Sequence, residues 1–69
     1  MVRNALTERE IQVLRLLARG RSYGAIASQL GVSINTVGTH VKKLYTKLDV
    51  HTAAEAVMRG VELRLLGAH

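Results

Sequence analysis

The stretch ASQLGVSINTVGTHVKKLYTKL, residues 27–48, decides how this chain folds. Val37, Val41, Leu44 and Leu48 recur in it at i, i+4, i+7 and i+11, a narrow apolar stripe at helical period. The opposite side carries Asn35, Gly38, Thr39, Lys42, Lys43 and Thr46, and Lys47 follows. From Ser33 to Leu48 there are three lysines and no acid. A helix with one apolar stripe and one cationic face has two surfaces to satisfy: a protein core and an anionic partner. A charge run by itself is more often just a solvated face, so the case rests on what precedes the helix. Ala27 is small enough for two helices to cross closely. Gly31 follows four residues later, where the chain must take the left-handed conformation to turn within about three residues. Val37 comes six residues after Gly31 and packs back into the angle. That joint reads as a helix-turn-helix, whose second helix lies in the DNA major groove.

Working outward, the spacing predicts four helices, at about residues 8–19, 23–30, 34–48 and 53–65, and nothing that reads as a strand. The first opens at Thr7, an N-cap with Glu10 three residues on, which makes a capping box. Leu6, Val13, Leu14 and Leu17 fall on its inner side, and Glu10 lies on that side as the cap's partner. Arg15 and Arg19 point away, and Gly20 ends it. Ser22 caps the second helix, whose inner residues are Ile26, Ala27 and Leu30; Gly31 stops it. Ser33 caps the third and Asp49 closes it. Thr52 and Glu55 form a second capping box ahead of the fourth, in which Ala54, Val57, Val61 and Leu65 recur roughly every four residues. Gly60 weakens that helix by about 1 kcal/mol relative to Ala.

The chain has 69 residues, enough for a single domain. A domain this small buries only about 60% of its unfolded surface, so its core is thin. There is no Cys, which excludes disulfides and thiolate metal sites. Lys and Arg outnumber Asp and Glu by 10 to 5, for a net charge of +5 and a pI near 10.5, which suits a polyanionic partner. No apolar run approaches a membrane span, and the N-terminus has no signal-peptide core, so a cytoplasmic location is expected. His40 borders the apolar stripe and reads as a packed structural histidine; His51 and His69 have no ligand-spaced partners. Tyr45 is expected at the core edge with a wet hydroxyl. Without a nucleophile–base pair, a metal cluster or a phosphate loop, the sequence implies no enzyme, no cofactor and no metal.

The combination LTxRE (Leu6–Glu10), VLxLLAxG (Val13–Gly20), IAxxLxxS (Ile26–Ser33), TVxTHVxxxYxKL (Thr36–Leu48) and the AEAV beyond it resembles the LuxR-type (GerE-like, NarL/FixJ) DNA-binding domain of bacterial transcription regulators, over about Leu6 to Leu66. The resemblance implies an all-α, four-helix domain. Its third helix would meet double-stranded DNA through Asn35, Gly38, Thr39, Lys42 and Lys43, with Thr36 and Lys47 nearer the phosphates; from the residues themselves, Ser33 at the start of that helix and Tyr23 at the start of the second are further candidates for phosphate contact. It also implies homodimerisation through helix four, at Ala54, Val57, Val61 and Leu65, and RNA polymerase as a further candidate partner. Five departures stand out: Gly38 where the family commonly has Lys, Ala53 where it has Arg, Gly60 for Ala, Arg64 for a Gly before the final leucines, and Ala25 where an acid is common. A sigma-factor-like promoter-binding module and a protein-interaction module that retains the fold are the alternatives. The complete LTxRE start and the fourth helix favour a regulator.

Overall fold

The computed structural model describes residues 6–66, and over these the chain forms four helices: α1 (Glu8–Ala18), α2 (Tyr23–Leu30), α3 (Ile34–Leu48) and α4 (Ala53–Glu62). Each begins at the predicted cap. Thr7, Ser22, Ser33 and Thr52 are extended, and each side chain accepts from the backbone N–H three residues on. Both capping boxes close, with Glu10 returning to the Thr7 amide (2.9 Å) and Glu55 to the Thr52 amide (3.2 Å). These bonds satisfy amides that precede each helix's own ladder.

All four helices also end alike. After each, one N–H reaches back five residues and the one before it reaches back three: Arg21 to Leu16, Val32 to Ala27, Val50 to Tyr45, and Leu65 to Gly60 for the longer bond. This is the Schellman arrangement, with its turning residue at positive φ. Gly20 (φ 78) and Gly31 (φ 69) fill that position without a Cβ penalty, as the sequence predicts. Asp49 (φ 58) and Arg64 (φ 60) fill it in α3 and α4. Aspartate tolerates the left-handed region; arginine is strained there. The left-handed turn at Arg64 ends α4 at Glu62 rather than at residue 65. The turn folds Leu65 back over the core instead of extending the helix.

The core is aliphatic. Val13, Leu14 and Leu16 of α1, Ile26 and Ala27 of α2, the whole predicted stripe of α3, and Ala56 of α4 are buried, together with Val50. α3 packs against α1, α2 and α4. The joint works as expected, with Ala27 and Val37 both buried across it. Two inner faces differ from the sequence reading. Leu16 is buried, while Leu17 is half-buried and packs against the core from its edge. In α4 the inward residues are Ala56 and Gly60, not the Ala54–Val57–Val61 series, since α4 approaches the core so closely that only small residues fit beneath it. A Cβ on Gly60 would lie 2.9 Å from Leu14 Cδ2 and 3.1 Å from Leu66 Cγ. No described helix is long and apolar enough to cross a membrane.

Three substitutions separate helix propensity from space. Gly38 has nothing within 4 Å of a Cβ position, so Gly38→Ala is expected to stabilise the domain by about 1 kcal/mol. Gly60→Ala gains the same propensity but presses on fully buried Leu14; overpacking of about 1–3 kcal/mol makes it neutral to destabilising. Arg64→Gly relieves the left-handed strain and should add about 1 kcal/mol. Urea midpoints of the three variants check all of this, and equal gains from the two alanines would contradict the packing of α4.

Candidate nucleic-acid interface

α3 is amphipathic in three dimensions as in sequence. With one stripe buried, Asn35, Thr36, Thr39, Lys42, Lys43 and Thr46 are exposed on the outer side, and no acid lies between Ile34 and Leu48. The hydroxyls on this face are largely committed to the protein. Thr39 donates to the Asn35 carbonyl (3.2 Å) and Thr46 to the Lys42 carbonyl (3.0 Å). Ser33 Oγ accepts from the Thr36 amide (3.1 Å) and lies 3.0 Å from Thr36 Oγ1. The Ser33–Thr36 pair therefore completes the helix cap. The amides ahead of it, those of Ile34 and Asn35, precede the α3 ladder and point out of the helix N-terminus, where the dipole favours an anion.

The structure brings the predicted residues together with two qualifications. Tyr23, at the first position of α2, is 39% exposed and shares an open groove with Asn35, Gly38, Thr39 and Lys42 of α3. Tyr45 lines the same groove, and its hydroxyl is not simply wet. Burial, and then hydrogen bonding and repulsion from Tyr23, raise it above the ordinary phenol range. Lys47 is the second qualification. Its ammonium sits 2.8 Å from Glu10 Oε1, the same oxygen that accepts the Thr7 amide. The acid missing from the α3 sequence is thus supplied from a position 37 residues earlier, and Lys47 ties α3 to α1 instead of standing on the outer face. His40 is half-buried at the stripe edge, and His51 is exposed, its amide donating to Glu55 (2.8 Å). His69 lies outside the described residues.

One residue of this surface escapes sequence reading. Ile34 opens α3 three residues before Val37, so helical period alone assigns it to the core. It is 56% exposed, with its Cδ1 toward the first turn of α2. The large exposed apolar residues here are Met58 and Val61 of α4 and Leu63 at its C-cap. Of the predicted dimer residues, Ala54 and Val61 are exposed, Val57 is half-buried, and Leu65 packs against the core beyond the helix end.

A family model described as bacterial regulatory proteins, luxR family, matches residues 4–59. The chain belongs to the LuxR family. It is a DNA-binding domain of the kind used in transcription regulation. Among its relatives are a probable transcriptional regulatory protein NarL of Mycobacterium tuberculosis, 48% identical over 61 residues, and the response regulator protein VraR of Staphylococcus aureus, 41% identical over 61 residues. Each match covers 88% of this chain but only 28% and 29% of the respective relative, so the LuxR domain here spans less than a third of those proteins.

The Glu10–Lys47 pair gives this LuxR domain an acid-sensitive clasp. Burial of Glu10, 3% exposed, raises its pKa, but the Lys47 and Thr7 contacts outweigh that and hold it below the usual carboxylate range. The unfolded chain therefore binds more protons in this range. The contribution is complete above the ordinary glutamate pKa and is lost as pH falls through the lowered native value. Glu55, held down chiefly by the His51 amide, acts in the same direction. The urea midpoint should thus fall between about pH 5 and pH 3, and Glu10→Gln should flatten part of that slope. Lys47→Ala leaves the carboxylate buried without its cation and should cost about 1–3 kcal/mol at neutral pH.

Proposed function

We propose that this chain binds double-stranded DNA sequence-selectively, with α3 in the major groove, and that two copies act on a two-fold site in transcription regulation. The observation that carries this reading is the outer face of α3. Asn35, Thr39, Lys42 and Lys43 are exposed together on one helix whose other side is locked into the core, with no acid in the helix to compete. Lys42 and Lys43 displace counterions from phosphates, and one of them can reach a guanine O6/N7 edge. Asn35 suits an adenine edge, and Thr39, its proton already given to the backbone, offers an acceptor and a methyl. Tyr23 and the first-turn amides of α3 beside Ser33 and Thr36 suit flanking phosphates. Lys47 contributes at the margin at most, since Glu10 shares its charge.

Dimerisation through α4 is supported by its outward apolar strip of Ala54, Met58 and Val61, with Val57 at its edge. Two α3 helices would then read half-sites about one helical turn apart. VraR is named a response regulator; by analogy this chain would be the effector part of such a regulator.

Selection from random duplexes at two salt concentrations tests the reading. A two-fold symmetric sequence should be enriched. Lys42→Ala with Lys43→Ala should weaken binding on the order of tenfold or more and make the salt dependence shallower by roughly one per lysine. Met58→Glu with Val61→Glu should leave half-site binding intact and abolish paired occupancy. An unchanged salt slope in the lysine double variant would sink the assignment of α3 as the reading helix.

A further inference from the structure

We propose that Ile34 and Gly38 together form a site for the C5-methyl group of a thymine, Ile34 supplying the contact and Gly38 the clearance. This rests on the reading that α3 enters the major groove.

A β-branched aliphatic residue at the start of a helix, 56% exposed, adds little to the core of this domain. Ile34 leans toward the first turn of α2, its Cδ1 3.9 Å from where a Cβ on Gly24 would stand. One helical turn further along α3 is Gly38, where no atom outside the helix comes within 4 Å of a Cβ position. Between them runs the open groove, walled by Tyr23 and Tyr45 and edged by Thr39 and Lys42. Its floor at Gly38 is bare helix backbone, whose groups are already paired within the helix. Thr39 spends its hydroxyl proton on Asn35. At the Ile34 end the groove presents the exposed Ile34 side chain beside the Asn35 amide and the Tyr23 ring, and at the Lys42 end a cation.

A major-groove edge offers few matches for that pattern. Ring C–H groups aside, every base-edge group there is a hydrogen-bond donor or acceptor except the thymine methyl, the one apolar group that projects from the pair. A large side chain at position 38 would cover the depression. A glycine keeps it open, at a cost in helix stability that no packing requirement explains, since the position has room. Lys42 at the groove's end is placed for a neighbouring phosphate or guanine edge, which continues the cationic face proposed above.

The test uses the 69-residue chain and duplexes recovered by selection from a random pool. Each thymine of the enriched site is replaced singly by uracil, which keeps every hydrogen-bonding group and removes only the methyl. One thymine per half-site is expected to lose roughly threefold to fivefold in affinity on replacement, the worth of one buried methyl contact, while the others change little. Ile34→Ala should bind the thymine and uracil duplexes equally at that position and still prefer the remaining bases; Ile34→Val should fall between. Gly38→Ala, which has room to fold, should shrink the thymine-to-uracil ratio at the same position. An enriched site indifferent to uracil at every position overturns this inference and leaves the DNA-binding reading standing. So does an Ile34→Ala variant that keeps the full ratio. A chain that binds no duplex at low salt overturns both.

Discussion

Val37, Val41, Leu44 and Leu48 bury one side of α3 against all three other helices, and this confinement of burial to a single stripe sets the rest of the architecture. A stripe at i, i+4, i+7 and i+11 covers well under half of a helix's circumference. A helix held on so narrow a contact could roll unless its flanks were fixed. α2 fixes one flank through the Ala27–Gly31–Val37 joint, where the short turn leaves little freedom in the crossing angle. α1 reaches the other flank. What is left uncovered is the face bearing Asn35, Thr39, Lys42 and Lys43. The surface proposed to meet DNA is defined by where packing stops.

Glu10 shows how a thin core carries a charge without a net penalty. A carboxylate at 3% exposure needs its oxygens satisfied, and one of them accepts both the Thr7 amide and the Lys47 ammonium. Among the described residues no buried side-chain nitrogen or oxygen is left without a partner. Such a pair adds little stability over an apolar equivalent. Its directional value is greater. Lys47 lies on the opposite flank of α3 from Gly38 and Tyr45, so its reach to Glu10 fixes the rotation of α3 about its own axis. The same rotation decides which side chains look outward. Lys47, which sequence reading gave to the phosphates, is in the structure a tie between α3 and α1.

Much of this was legible in the sequence because the relevant signals are local. Thr7–Glu10 and Thr52–Glu55 announce their capping boxes within four residues, and Gly20 and Gly31 announce their turns by identity alone. The α3 stripe survives intact because one helix packed along its length obeys a single period. Three features were not legible. Lys47 finds its acid 37 residues away, and spacing within a helix says nothing about that. Arg64 ends α4 in a conformation its side chain disfavours, so no stop signal is present and the periodic pattern reads on to Leu65. The inner face of α4 consists of Ala56 and Gly60, which carry almost no hydrophobic signal. Periodicity is then captured by the larger Val57 and Val61, which lie at the side and on the outside.

Gly38 and Gly60 bring these limits to a point. Both lie inside helices, both depress propensity by the same amount, and both stand where the LuxR pattern commonly has a side chain. In sequence they are equivalent defects. In space they are opposites. Gly60 lies under Leu14 and Leu66, where a Cβ would collide, so its absence of side chain is what lets α4 seat against the core. Gly38 faces open groove, where a Cβ would meet nothing within 4 Å. The first is explained by folding; the second is not, and lies on the face that packing leaves free. A domain with so small a core has little stability to give up. A glycine kept at a half-buried mid-helix position without a packing reason therefore directs attention to what approaches from outside, and at Gly38 that approach is flanked by Ile34 and Lys42.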